Sequence, residues 1–143
     1  MLRSILSDPL FWDRCRTTEA DARSLSELID AYCRISVHCH EMGLLAINYE
    51  EAVDRLPEPL GRAALRMIDE GWPPEFIEET CCSALVTSTV RGADVVRMAL
   101  GIKAALMIQR GEETKLMRVA LTALAGGALA LEGQSKEWRL LRG

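Results

Sequence analysis

Residues 64–80 read Ala64-Leu65-Arg66-Met67-Ile68-Asp69-Glu70-Gly71-Trp72-Pro73-Pro74-Glu75-Phe76-Ile77-Glu78-Glu79-Thr80, and they hold a helix, its stop and the start of a second helix. Ala64, Met67 and Ile68, with Leu60 and Ala63 before them, recur at helical intervals and form one apolar face. Gly71 can adopt the left-handed conformation that ends a helix. Pro73 and Pro74 suit the first turn of the next helix, where Glu75 complements the positive helix end. Forty residues further on, Ala104, Met107, Ile108 and Gly111 stand where Ala64, Met67, Ile68 and Gly71 stand. Each copy is a helix ending in Met-Ile-x-x-Gly, a turn carrying acid or proline, and a second helix beginning near Phe76 or Leu116. This repeated helical hairpin predicts an all-α fold, a bundle or stacked helical hairpins of about six to seven helices.

Working outward, the same period continues on both sides. Ser24 and Glu27 have capping-box spacing, and Leu25, Leu28, Ile29, Tyr32, Ile35, Cys39 and Met42 follow at intervals of three and four up to Gly43. Residues 1–22 are expected to form an N-terminal arm in which Ser7 caps a short helix opened by Asp8-Pro9 and carrying Leu10, Phe11 and Arg14. A short segment runs from Tyr49 to Leu56 before Pro57 and Pro59 restart the chain. The helix after Pro74 is expected to turn Phe76, Ile77, Thr80, Cys81 and Ala84 inward. The stretch from Ala93 to Arg110 is charged only at Asp94, Arg97, Lys103 and Arg110, which predicts the central, most buried helix. Glu112 and Glu113 open a further helix through Leu116, Val119, Ala120 and Leu124, and Gly126-Gly127 breaks or bends the chain before residues 128–131. Residues 133–143 read as a polar C-terminal tail with Trp138, Leu140 and Leu141 as anchors. No run alternates between apolar and polar residues, so no sheet is expected.

With 143 residues and 49% hydrophobic content, the chain is expected to form a single helical domain over residues 1–143. The 17 basic and 21 acidic residues leave a net charge of −4, which provides no global field to hold a polyanion, so nucleic acid is not expected as a partner. The five cysteines, an odd number with one adjacent pair at Cys81 and Cys82, suit reduced thiols in helical patterns better than a disulfide framework. The N-terminal apolar stretch is too short for a secretory signal. Residues 119–131 form the longest uncharged run, short of the roughly 20 apolar residues needed to span a bilayer. No membrane insertion and a cytoplasmic location are therefore expected.

Several constellations point to chemistry or binding. Asp69, Glu70, Glu75, Glu78 and Glu79 surround Trp72-Pro73-Pro74, placing one large ring inside an acidic rim. Aromatic anchors inside charged rims are favoured at interfaces, so these residues, with His40, form the expected partner site; the alternative is that Trp72 covers the hairpin and the acids solvate two helix ends. Cys33 and His40, seven apart, fall on one helical face, but two ligands are too few for a metal, and no Cys-x-x-Cys or His-x-x-x-His spacing completes a set. Cys33 and Cys39 are expected in the core, with a histidine exposed. Cys81 and Cys82 could form a redox pair but point apart on a helix. Arg62 and Arg66, four apart, read as a solvated face. No phosphate loop, paired-histidine motif or nucleophile elbow is present, so no metal, cofactor or catalytic residue is assigned and an enzyme is not expected.

His40-Glu41-Met42-Gly43-Leu44-Leu45-Ala46-Ile47, followed by the stretch from Pro59 through Gly71-Trp72-Pro73-Pro74 to Glu79, resembles the cytoplasmic part of the flagellar stator A subunit. That subunit belongs to the MotA/TolQ/ExbB proton-channel group. Its members show a basic residue before Gly-Leu-Leu-Ala-Leu-Glu, then a helix ending in Asp-Gly before a proline-bearing turn and an Ile-x-Glu helix. Ala105 to Glu113 is similar to the family's post-membrane Ala-Ile-Gln-x-Gly-Glu. Where the family presents an arginine and a glutamate to the rotor, this chain places His40 and Asn48, so that electrostatic contact does not carry over. The resemblance implies a relative without transmembrane helices that keeps the helical scaffold, has lost ion conduction and is linked to flagellar motility.

The expectation is therefore a protein–protein interaction module with a protein partner or a second copy of itself. Self-association is suggested by the apolar surface of residues 93–110 and 119–131. Two alternatives stand beside it: a thiol- or metal-dependent enzyme or sensor using Cys33, Cys39, His40, Cys81 and Cys82, and a small-ligand regulatory protein with a pocket between the hairpins.

Overall fold

The computed structural model describes residues 1–17, 19–49 and 51–126. The expected bend at Gly127, the segment 128–131 and the tail 133–143 with Trp138, Leu140 and Leu141 lie outside the described residues. Among the described residues there are nine α-helices and no strand, and four of the helices are six residues or shorter.

Two short helices, α1 (Leu2–Leu6) and α2 (Pro9–Arg14), form the N-terminal arm. Asp8, not Ser7, caps α2: its carboxylate accepts the Leu10 amide at 3.0 Å, while the Ser7 hydroxyl donates back to the Arg3 carbonyl at 2.8 Å. Cysteine and aromatic side chains of the arm reach the core, where Phe11 and Cys15 are buried. A 3₁₀ turn (Glu19–Asp21) leads into α3 (Ala22–Met42). Ser24 lies inside the first turn of α3 instead of capping it, and Glu27 faces Arg23 at 3.2 Å instead of the helix entrance. Gly43, at φ 78°, ends α3 as expected, its amide reaching the Cys39 carbonyl at 2.8 Å.

The segment after Gly43 folds into two single turns, α4 (Ala46–Tyr49) and α5 (Glu51–Asp54). Two hairpins follow: α6 (Pro59–Asp69) with α7 (Pro74–Thr87), then α8 (Ala93–Gln109) with α9 (Thr114–Leu124). Their turns are built alike. The amides of Gly71 and Trp72 bond the carbonyls of Ile68 and Met67, both at 3.0 Å, and those of Gly111 and Glu112 bond Ile108 and Met107 at 3.0 and 3.1 Å. Each glycine has the positive φ, 85° and 72°, that this paired termination requires.

Helices α3, α6 and α8 run in the same direction. Arg97 near the start of α8 donates to Ser24 near the start of α3, and Glu112 beyond the end of α8 meets His40 near the end of α3. Helices α7 and α9 return; along α9, Thr114 bonds Ser36 and Arg118 bonds Asp30, an antiparallel register against α3. Helix α8 is central as predicted, with twelve buried residues and neighbours α3, α6, α7 and α9. Its buried apolar side chains are covered by these neighbours.

The backbones of α6 and α8 approach closely, where a Cβ on Gly101 would sit 2.8 Å from the Gly61 Cα. These two glycines are also forty residues apart, so the repeat extends beyond the segment that revealed it. Tyr32 of α3 caps the crossing, its hydroxyl buried and without a hydrogen-bond partner among the described residues.

The inward face of α7 differs from expectation. In α7 the buried residues are Ile77, Cys81, Cys82 and Leu85, while Phe76, Thr80 and Ala84 are exposed. In α9 Met117 and Leu121 are buried and Leu116 points outward. Arg62 and Arg66 do more than solvate α6: they donate to the Leu56 carbonyl and the Asp54 carboxylate, stapling α5 and its exit to α6. No helix among the described residues is long and apolar enough to cross a membrane.

Candidate functional site

Because α3, α6 and α8 are parallel, the turns that end them gather at one end of the bundle. The link between them is direct. His40 Nε2 lies 2.7 Å from the Glu112 carbonyl, and the Gln109 side-chain amide donates to the Trp72 carbonyl at 3.0 Å. His40 and Trp72, far apart in sequence, are thereby brought to the same end through the α8–α9 turn. A hollow of about 190 Å³ beside them is lined by His40, Gly43 and Leu44 on one side and by Gln109, Arg110 and Gly111 on the other.

The α6–α7 turn carries the most distinctive surface. Trp72 and Phe76 are each 44% exposed and stack on one another, ring centroids 5.0 Å apart and planes 24° apart. Phe76 occupies this position because the inward face of α7 is taken by Ile77, one residue on and about 100° round the helix. The Trp72 indole donates to the Glu70 carboxylate at 3.0 Å, which orients the ring. Asp69, Glu75 and Glu79 make no ion pair among the described residues. Glu78 is different: it accepts the Leu2 amide at 3.2 Å and so anchors α1 instead of joining the acidic rim. The structure therefore groups Trp72, Asp69, Glu70, Glu75, Glu79 and His40 at one end and removes Glu78 to the arm.

No family model, curated protein or solved structure matches this chain.

Sequence reading missed Phe76, which it turned inward, and Gln109, whose side chain joins the two turns. The signal for Phe76 was present in its spacing: four residues after Trp72, it is the first apolar residue beyond the proline turn. The exposed Met42 at the end of α3, with Leu44 and Leu45 beyond it, adds further apolar surface, Leu44 within the hollow beside His40.

The cysteine and histidine pairs are arranged differently from the expectation. Cys33 lies with His38 in a hollow on the α3–α9 side, whereas His40 shares its hollow with Cys39, so Cys33 and His40 do not form one site. Cys33 is buried, Cys39 half-buried, and both histidines are exposed. Among the described residues no group of three or more His, Cys, Asp and Glu side chains converges to hold a metal ion. Burial pushes the Cys81 thiol up to about 11, reinforced by the negative charge of Glu58. Cys82 is likewise pushed to about 11 by burial, with Glu78 adding to the effect. Both stay protonated at neutral pH, which suppresses thiolate chemistry at this pair.

Proposed function

We propose that this chain is a protein-binding module whose docking surface is the end of the bundle bearing the Trp72–Phe76 stack. The observation that carries the reading is the exposure of two stacked large aromatic rings on the turn that also bears Asp69, Glu75 and Glu79, carboxylates with no ion pair among the described residues. Rings of this kind supply much contact area at low entropic cost, and a surrounding acidic rim selects a partner segment carrying Lys or Arg next to an apolar residue. A guanidinium can also lie over an aromatic face while pairing with a carboxylate. Met42, Leu44 and Leu45 enlarge the apolar part of the same end. The resemblance to the stator-type cytoplasmic region belongs to this proposal as one setting for such a partner, a flagellar assembly in which a helical turn meets another protein. Self-association through this end is the homotypic form of the same reading.

Affinity capture with mass spectrometry, run in parallel on the wild-type chain and on Trp72→Ala, tests it. A partner retained by the wild type is expected to bind Trp72→Ala at least about 30-fold more weakly, the loss typical of a central aromatic anchor. Its retention should also fall as salt is raised, because the rim acts through exposed charges. Equal capture by both proteins, with no concentration-dependent association of the wild type in sedimentation, would remove the basis for the proposal.

A further inference from the structure

A groove of about 630 Å³ runs between α3, α5 and the start of α8, on the side where those helices begin and away from the aromatic end. Its size is that of a small-molecule site. Leu28 and Leu56 form the base, with Ala31, Ala52 and Pro57 above them, so the floor is apolar. The wall from α3 is a single helical stripe, Ser24, Glu27, Leu28, Ala31 and Arg34, at spacings of three and four.

Among the described residues the rim holds three guanidinium groups and three carboxylates, and their pairing decides what the groove accepts. Arg97 donates to Asp94 at 2.7 Å and to the Ser24 hydroxyl at 2.8 Å. Arg55 pairs with Glu51 at 3.0 Å. Glu27 is taken by Arg23, which lies outside the groove, at 3.2 Å. Glu27, Glu51 and Asp94 are therefore each matched, and among the described residues Arg34 alone of the three guanidinium groups makes no ion pair or hydrogen bond. One unmatched cation over an apolar floor calls for a ligand with one negative charge and an apolar body. A planar carboxylate fits the guanidinium fork with two parallel hydrogen bonds. A phosphate dianion would bring more charge than Arg34 neutralises and would face the carboxylates of Glu27, Glu51 and Asp94.

We propose that this groove binds a small amphipathic carboxylate, its carboxylate paired with Arg34 and its hydrocarbon part lying over Leu28 and Leu56. The site is separate from the Trp72 end and does not depend on the protein-docking reading.

Titration of the full chain with decanoate, followed by backbone amide NMR, tests the proposal. Saturable shifts are expected at residues of α3, α5 and the start of α8 around Leu28, Ala31, Ala52 and Leu56, with none at the α6–α7 turn. Arg34→Gln should weaken binding about tenfold, as loss of a charge-assisted pair does, and leave the melting temperature unchanged because Arg34 supports nothing in the fold. Decanol, which keeps the hydrocarbon and lacks the charge, should bind as weakly to the wild type as decanoate does to Arg34→Gln. Ala31→Trp, filling the groove, should abolish the shifts. The proposal is overturned if decanoate gives no saturable shifts at these residues, if Arg34→Gln binds as well as the wild type, or if decyl phosphate binds more tightly than decanoate.

Discussion

The Tyr32 ring occupies the notch between Gly61 and Gly101, where a Cβ on Gly61 would lie 1.9 Å from the tyrosine oxygen. Its hydroxyl is buried without a partner among the described residues, and burial, reinforced by the Glu58 carboxylate, holds it neutral far above the ordinary range. An unsatisfied buried hydroxyl is a cost to the folded state, offset here by the packing of the ring. Tyr32→Phe keeps the ring and removes the cost. Its urea midpoint is expected to match or exceed the wild type, by up to about 1 kcal/mol of unfolding free energy. A loss of more than about 1 kcal/mol would mean that the hydroxyl contributes a bond in solution. The same scale shows what was legible and what was not. The period of α3 marks Tyr32 as inward-facing, but nothing in the residues around it reveals that its oxygen meets two glycines drawn from other helices.

At the scale of elements, the two hairpins use glycine for two different physical reasons. Gly71 and Gly111 have positive φ and open space around the missing side chain, so their role is conformational. Gly61 and Gly101 sit inside helices, and their role is steric: they let the backbones of α6 and α8 approach. The substitutions should separate these roles. Gly71→Ala is expected to cost about 1 kcal/mol, the usual penalty for forcing a Cβ into the left-handed region. Gly101→Ala places a methyl group against backbone that cannot rotate away and should cost at least about 2–3 kcal/mol, partly offset by the better helix propensity of alanine. Urea denaturation of both variants checks the order, and a Gly101→Ala protein as stable as the wild type would show that α6 and α8 are not packed this closely. The turn glycines were legible from the repeat; the crossing pair lay just outside the aligned segment, and helical period gives no reason to single out a glycine in mid-helix.

Across the whole molecule, the N-terminal arm is joined to the bundle by one side chain more than any other. The Arg14 guanidinium donates to the carbonyls of Leu85 at 3.4 Å, Ser88 at 2.8 Å and Val90 at 3.1 Å, around the end of α7, and the Arg14 carbonyl accepts the Gly92 amide at 2.6 Å. A cation at a helix C-terminus meets carbonyls that have no partner within the helix. Arg14→Ala is expected to lower stability by about 1–3 kcal/mol through those lost bonds to a charged donor. Hydrogen exchange should localise the effect: faster exchange in α1, α2 and the α7–α8 connection, with α3 and α8 as protected as in the wild type. Uniform acceleration through the chain would instead show that the arm and bundle unfold together.

Glycine stops, proline starts and the charge-poor run from Ala93 to Arg110 determined by themselves that this chain is helical, that it contains two similar hairpins and which helix lies at the centre, because each depends on local backbone preference or on how much of a helix is apolar. Tertiary structure alone decided which of two adjacent apolar residues turns inward, Ile77 over Phe76 and Met117 over Leu116, since both rotations satisfy the helical period and only the neighbours, α6 and α8 for α7 and α3 and α8 for α9, choose between them. It also decided that His40, Gln109 and Trp72 share one end. Their association follows from the parallel course of α3, α6 and α8, and that course is set by packing across the glycine crossing, which involves residues too far apart in the chain for any local preference to couple.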